Sequence, residues 1–340
     1  MPTLRKSCIL KLPAKTTGEK TALLGLLAGV FLLSILLGLT LGSERYTLLQ
    51  LLSGMQQGAE NPVFRILAYV RFPRVLGAVL AGSALALSGM LLQSVLHNPM
   101  ASPNIIGVNA GAGFFGLLAG ALLPGFTASA AFLGALCTAL FIYLLAKRAG
   151  LSRTTLVLAG VAVNAMLNAG VQALNTLFPE LAIGSGFMAG SFSGVTVMAI
   201  SKALPYLLAG GILALLLTGE LNVLRLGEET AATLGMAVSR VQFLTILAAA
   251  LLAGGAVSFA GLLGFAGLLV PHMVRKLLGS DHRWLYPGCV LLGGALVTLC
   301  DTLARVVFAP FELPVGILLS ALGGPFFLWL LLGRKGRKAV

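Results

Sequence analysis

Long uncharged runs broken by short polar clusters dominate the chain. Residues 21–42 carry no charge over 22 positions, enough for one crossing of a hydrocarbon core that takes about 20 helical residues. Residues 75–146 contain no Asp, Glu, Lys or Arg over 72 positions. At about 1.5 Å per residue that run exceeds three bilayer thicknesses, so it must fold back twice. The breaks stand at His97-Asn98-Pro99 with Pro103, and at Pro124-Gly125. Residues 241–274 are also uncharged and, at roughly 50 Å as a helix, too long for one crossing; Gly261 and Gly264 mark the division. Cutting in this way predicts ten helices, near 21–42, 73–97, 105–122, 127–147, 154–177, 201–219, 239–260, 263–278, 284–305 and 314–333, the last two separated by Pro310 and Pro314. Residues 43–71, with Arg45, Glu60 and Arg65, read as a polar outer segment, and 179–198 as an outer segment too rich in Gly and Ser for an ordinary span.

Composition makes this an all-α membrane protein. Apolar residues make up 58% and charged residues 10%, with a mean hydropathy of +1.00, where soluble domains carry roughly 25% charge. The first run is too long for a signal-peptide core and no convincing cleavage site follows it, so it is expected to remain as a span. A net charge of +13 would suit nucleic acid, but its distribution argues against that partner. Arg5, Lys6, Lys11, Lys15 and Lys20 precede the first span, and Arg334, Lys335, Arg337 and Lys338 follow the last. The positive-inside bias then puts both termini in the cytoplasm, with 17 of the 23 Lys and Arg on that side. The expected organisation is a basic tail (1–20), one transmembrane domain (21–333) and a second basic tail (334–340). Glycines at 77, 82, 89, 107, 111, 113, 116 and 120 allow close helix approach. The four cysteines are scattered, without metal-ligand or disulfide spacing.

One polar stretch is conspicuous. Residues 220–240 lie between two apolar runs, hold three of the ten acidic residues and have helix-forming composition. Gly227 followed by Glu228, Glu229 and Thr230 reads as a helix start with carboxylates favoured by the macrodipole, and Gly235 as its end. Two readings stand: a helix presented to a soluble partner, or a solvated connector. The break at Asn98, Pro99, Ser102 and Asn104 sits at membrane depth, where irregular backbone must be buried in protein or line water. No nucleotide-binding P-loop and no catalytic constellation occurs; the histidines at 97, 272 and 282 fall at span ends. Asp301 is the lone candidate for a midplane ionisable group, and Arg305 at i+4 suits it as a local partner. The chain is therefore expected to be no enzyme and to borrow its energy.

Several segments resemble the permease subunits of type II ABC importers for iron-siderophores, haem and cobalamin: RFPR (71–74), GSALALSGMLLQSVLHNPMASPNIIGVNAGAG (82–113), LSRTTLVLAGVAV (151–163), LRLGEETAATLGM (224–236), GLLGFAGLLVPHMVRKLLGSDHR (261–283) and ELPVGILLSALGGPFFLWLLL (312–332). The likeness runs in order from about residue 20 to the end. It implies a ten-helix subunit of the bacterial cytoplasmic membrane, paired with an identical or sister permease. Two ATPase subunits, which hold ATP and Mg, would dock inside, and a substrate-binding protein outside; this chain would bind no cofactor or metal itself. By the same likeness, Leu226, Gly227, Glu228, Glu229, Leu234 and Gly235 form the ATPase-coupling element. Arg71, Arg74 and Arg305 dock the binding protein, although without the family they read as interfacial snorkelling arginines. Ser152, Arg153 and Thr154 belong to the cytoplasmic gate, with the 98–104 break lining the path. The expected cargo is an iron(III)-siderophore, with haem or cobalamin as alternatives in the family. Outside it, an ion-coupled secondary transporter or a receptor that transports nothing is the competing reading.

Overall fold

The computed structural model describes residues 16–42, 46, 47, 50, 53, 54, 56, 61–123, 125–148, 153–178, 185–309 and 311–335. Helix α1 (Thr17–Thr40) starts at a capping box: Thr16 Oγ1 accepts from the Glu19 N–H while Glu19 Oε2 accepts from the Thr16 N–H, so two orphan donors are satisfied together. Helix α2 (Pro62–Val95) is capped by Asn61 and has Pro62 in its first turn. It begins eleven residues earlier than the sequence suggests, because residues 66–71 wind as a π-helix. Pro73 offers no N–H to the preceding turn, and the wider turn carries the helix past it.

A 3-10 turn (Pro103–Ile106) and Gly107, at φ +78°, lead into α3 (Val108–Leu122). Then come α4 (Thr127–Arg148), α5 (Arg153–Leu177), a short α6 (Ser185–Ala189), α7 (Val197–Leu216), α8 (Thr218–Leu224), α9 (Glu228–Thr233), α10 (Val238–Ala260), α11 (Ala266–Leu278), α12 (His282–Val307) and α13 (Val315–Lys335). Seven of these are long and apolar enough to cross a membrane: α1, α2, α4, α5, α7, α10 and α12. The shorter α3, α11 and α13 complete the ten segments expected, and the described residues contain no strand. The division at Gly261 and Gly264 falls where glycine permits it, with Gly261 at φ +72°. Residues 1–15 and 336–340 of the basic tails, with Arg45, Glu60, Pro124, Ser152 and Pro310, lie outside the described residues.

Helix α2 is the centre of the bundle: 78% of its apolar window is buried, against 17% for α1 at the periphery. Its contacts with α12 and α11 are made backbone to backbone. A Cβ on Gly82 would stand 2.3 Å from the Gly293 carbonyl oxygen, and one on Gly89 1.7 Å from that of Gly267. Small residues at crossings let helices pack tightly in lipid, where no hydrophobic force joins them. Ser83 adds a bond to the Val290 carbonyl of α12 (2.8 Å), and Ser88 one to the Ala249 carbonyl of α10 (2.7 Å). Around α2, α3 pairs with α4, α10 packs on α2, α4 and α7, and α1 covers α12.

These contacts predict that Gly89→Ala destabilises the bundle by at least the roughly 1–3 kcal/mol of an overpacked core. Gly29→Ala, with nothing within 4 Å of the added methyl, should be neutral or slightly stabilising, because alanine is the better helix former. Reversible unfolding in mixed micelles of increasing denaturing-detergent fraction measures both; equal stability of the two variants would refute the crossing.

Candidate functional site

At one end of the bundle, α7 continues after a kink at Leu217 into α8, and Gly227 turns the chain into α9. Its φ of +116° and ψ of +149° belong to a region open essentially to glycine. Glu228 and Glu229 occupy the first turn of α9. At the other end of α9, the Met236 N–H bonds the Ala231 carbonyl at 3.1 Å and the Gly235 N–H that of Ala232 at 3.0 Å. With Gly235 at φ +85° this is a Schellman stop, so both glycines singled out in the sequence do what their positions require. Leu221, Leu224 and Ala231 are buried, whereas Leu226 and Leu234 are 61% and 64% exposed. Two bare leucines beside two carboxylates make this knuckle a surface that favours a partner over water.

The knuckle rests on a polar network that sequence reading did not find. Asn222 Nδ2 donates to Asp281 Oδ1 at 2.7 Å, and Asn222 Oδ1 accepts from His282 N at 2.9 Å and from His282 Nδ1 at 2.8 Å. The carboxylate fixes the orientation of the amide, and the amide oxygen places the His282 proton on Nδ1. His282 Nε2 is then free to accept from Ser94 Oγ, 2.6 Å away on α2. Arg275 on α11 reaches both Gln93 and Ser94. His97 Nε2 bonds the Leu224 carbonyl at 2.9 Å, and Arg225 bonds that of Ser280 at 2.6 Å. Burial works to raise the Asp281 carboxyl out of its usual range. The Arg283 N–H, the Asn222 amide and nearby cations outweigh it, so the group is held below that range. The histidines at 97 and 282 were legible as span-end residues; their joint grip on α8 was not, because it joins positions 60 and 127 residues apart.

The opposite end gathers Arg71, Arg74 and Arg305 as the sequence reading grouped them, but not as free surface groups. They are only 4%, 4% and 5% exposed, and Asp301 is 1% exposed. Arg74 holds Asp301 through Nε and Nη2 at 3.0–3.1 Å, and Glu312 through Nη1 at 2.6 Å. Arg305 Nε lies 3.2 Å from Asp301 Oδ2, the local pair expected, and its Nη2 donates to the Gly38 carbonyl at 3.1 Å. Arg71 Nη1 donates to the carbonyls of Leu39 (2.8 Å) and Thr40 (2.9 Å), and its guanidinium lies over the Tyr46 ring at 4.8 Å. All three line one cavity of about 260 Å³ with Gly42, Ile66, Val70 and Glu312. Three guanidinium groups against two carboxylates leave this recess net positive. Glu312 was missed as a member of it, and Arg74 was not recognised as Asp301's main partner.

The break between α2 and α3 lies at the knuckle end, since His97 touches Leu224. Asn98 Oδ1 accepts from the Met100 N–H at 3.0 Å and closes the turn. Pro99 and Ser102 are half-buried and Asn104 is exposed. The Asn104 carbonyl accepts from Asn164 Nδ2 of α5 at 2.8 Å, and Gly160 lets α5 approach the Ile105 carbonyl. Arg153 opens α5, with Thr154 exposed one residue on. Helix α5 carries Asn164, Asn168, Gln172 and Asn175, spaced four, four and three residues apart and so on one face; the last three are exposed. That amide face was available from spacing alone and was overlooked. No group of three or more metal-ligating side chains occurs among the described residues.

The profile of the FecCD transport family matches residues 30–333. The hemin transport system permease protein HmuU of Yersinia pestis is 37% identical over 321 residues, covering 91% of this chain and 96% of its own. The Fe(3+)-citrate import system permease protein YfmD of Bacillus subtilis is 36% identical, with 91% and 93% covered. The cobalamin import system permease protein BtuC of Halobacterium salinarum is 39% identical, with 83% and 78% covered. A solved chain described as an ABC transporter of metal-chelate type, in an inward-facing conformation, superposes with a TM-score of 0.79 at 27% identity, covering 92% of this chain and 99% of its own. With a helical bundle that spans the membrane many times and a family match over nearly its whole length, this chain belongs to the FecCD transport family and is the permease subunit of an ABC transporter.

Proposed function

We propose that this permease imports an iron(III)-siderophore, taken from a substrate-binding protein at the arginine end and driven by ATPase subunits docked at the knuckle. The observation that carries the reading is the pairing of opposite ends. A knuckle with exposed Leu226 and Leu234 stands at one, and a recessed, net-positive arginine cavity at the other. The distribution of Lys and Arg supports a cytoplasmic position for the knuckle and both termini. The amide face of α5 suits a water-lined path completed by a second permease chain, because such side chains are costly toward lipid. On this reading the gate comprises Ser152, outside the described residues, with Arg153 and Thr154 at the start of α5, a helix that meets the turn after Asn104 through Gly160. Ferric cargo is favoured by relatives named for Fe(3+)-citrate, Fe(3+) dicitrate and siderophore transport; the haemin relative supports haem as the second reading. An ion-coupled mechanism is disfavoured because Asp301 is held by two guanidinium groups and has no room to exchange an ion.

The direct test is uptake into proteoliposomes holding the permease, its ATPase and ATP, with binding protein outside, offered ferric siderophore, haemin or cobalamin. Accumulation of ferric siderophore is expected; uphill accumulation by the permease alone would overturn the reading. Glu228→Arg should weaken ATPase co-purification on the order of tenfold, the weight of one charge-assisted contact, without changing helix content. Asn222→Ala should lower transport more than ATP hydrolysis, since it frees the knuckle from α12; a proportional fall in both would count against that anchor. At the other end, Arg71→Gln keeps a donor for the Leu39 and Thr40 carbonyls while removing charge. Retention of the binding protein in a pull-down should drop about tenfold, and unchanged docking would leave the arginines a purely structural role. Asp301→Ala, which leaves buried Arg305 without a carboxylate and Arg74 with Glu312 alone, should cost about 3–5 kcal/mol of stability, whereas half-exposed Glu312→Gln should cost under about 1 kcal/mol.

A further inference from the structure

A second cavity, of about 430 Å³, opens at the arginine end of the bundle between the start of α4, the start of α7 and the end of α10. Its walls divide by height. Leu133, Met198 and Tyr206 line it and are 55%, 68% and 42% exposed, so its mouth faces the surroundings of the bundle along an apolar front. Its floor is Phe132, buried and stacked on the Tyr206 ring at a centroid distance of 4.0 Å. Toward the helix ends the lining gains polar groups, with Ser129, Thr196 and Lys202 beside Met198, and Ser258 adds a hydroxyl from α10. From Thr196 to Tyr206 the slot runs about 15 Å down α7 at the helical rise, close to one leaflet of a hydrocarbon core of about 30 Å.

The charge is as one-sided as the shape. No carboxylate lines the cavity, and no ion pair of Lys202 occurs among the described residues. Arg71, Arg74 and Arg305 at this end hold carboxylates and carbonyls of their own chain. Lys202 is an ammonium at the headgroup level of an apolar slot one leaflet deep, with hydroxyls beside it.

We propose that this cavity is a binding site for an anionic phospholipid of the leaflet at that end. One acyl chain lies along Leu133 and the Phe132–Tyr206 stack, and the headgroup phosphate pairs with Lys202 within reach of Ser129 and Thr196. A zwitterionic headgroup fits less well, because its own ammonium adds a second positive charge beside Lys202.

The permease, reconstituted in vesicles of equal phosphatidylethanolamine and phosphatidylglycerol and extracted in mild detergent, is examined by native mass spectrometry for retained lipid. The wild type should retain phosphatidylglycerol in preference to phosphatidylethanolamine. Lys202→Gln should lower retained phosphatidylglycerol about fivefold, the weight of one basic residue near an anionic headgroup, and Lys202→Arg should preserve it. Ala128→Trp, at an exposed lining position, should fill the slot and remove both lipids. Helix content and elution volume confirm that each variant is folded. Equal retention of the two lipids by the wild type, no retention at all, or a Lys202→Gln protein that keeps its phosphatidylglycerol would each overturn the assignment.

Discussion

Close backbone approach of α2 to α12 and α11 is the constraint from which both ends of the molecule take their geometry. Where Gly82 meets Gly293 and Gly89 meets Gly267, no side chain separates the helices, and the register between them is fixed. That register carries Arg74, just past the π-helical turn of α2, onto Asp301 near the end of α12. It carries Ser94, at the end of α2, onto His282 at the start of α12. The two contacts lie about 30 Å apart along one helix. A slip of one residue would turn the partners of both off the shared face. The glycines are therefore more than space-savers: they set which polar groups meet in a medium that tolerates no unpaired ones.

The charged cluster shows how such a medium is managed. Asp301 is almost fully enclosed, yet it is surrounded by Arg74, Arg305 and, through Arg74, the half-exposed Glu312. Removing one member of a buried pair is expensive, while a complete set is close to neutral. The cluster is thus a poor store of energy and a good fixture. It leaves an anion-accepting recess without leaving a free acid able to shuttle protons. On the proposed reading, a binding protein's carboxylate would add to a site already short of negative charge, and it would find the guanidinium groups held in place before it arrives.

Much of this was legible in the sequence, for reasons that can be named. Helix ends were read correctly where a charge, a proline or a left-handed glycine punctuates a uniform apolar run: Gly107, Gly235 and Gly261 all take positive φ. The start of α2 was misplaced because a π-helical turn before Pro73 lets helix continue through a polar segment that resembles a loop. The knuckle was visible because acidic residues are rare here and three of them cluster. Long-range partners were not. Asn222 with His282, and Arg74 with Asp301, join positions far apart in the sequence; the second pair depends on a register set by the Gly82–Gly293 contact, and nothing local encodes either. The amide face of α5 is a different failure, since the four positions share one helical face and spacing alone could have revealed it.

What distinguishes the two ends is how they are fastened, and that bears on where energy enters. The arginine end is locked by ion pairs inside the bundle. The knuckle is a short lever: α8 buries Leu221 and Leu224 but otherwise holds to the bundle through side-chain hydrogen bonds from Asn222, Arg225 and His97. A partner seated on Leu226, Glu228 and Leu234 and displaced by nucleotide hydrolysis would pull first on Asn222. Asn222 is bonded to Asp281 and His282, which begin α12, and His282 is bonded to Ser94 on α2. Beside its covalent continuation into α7, the knuckle therefore passes force through side-chain bonds first to α12 and then to α2. On the proposed reading that order matters, because α12 and α2 also build the arginine recess. The chain then needs no energy source of its own to make the two ends answer to each other.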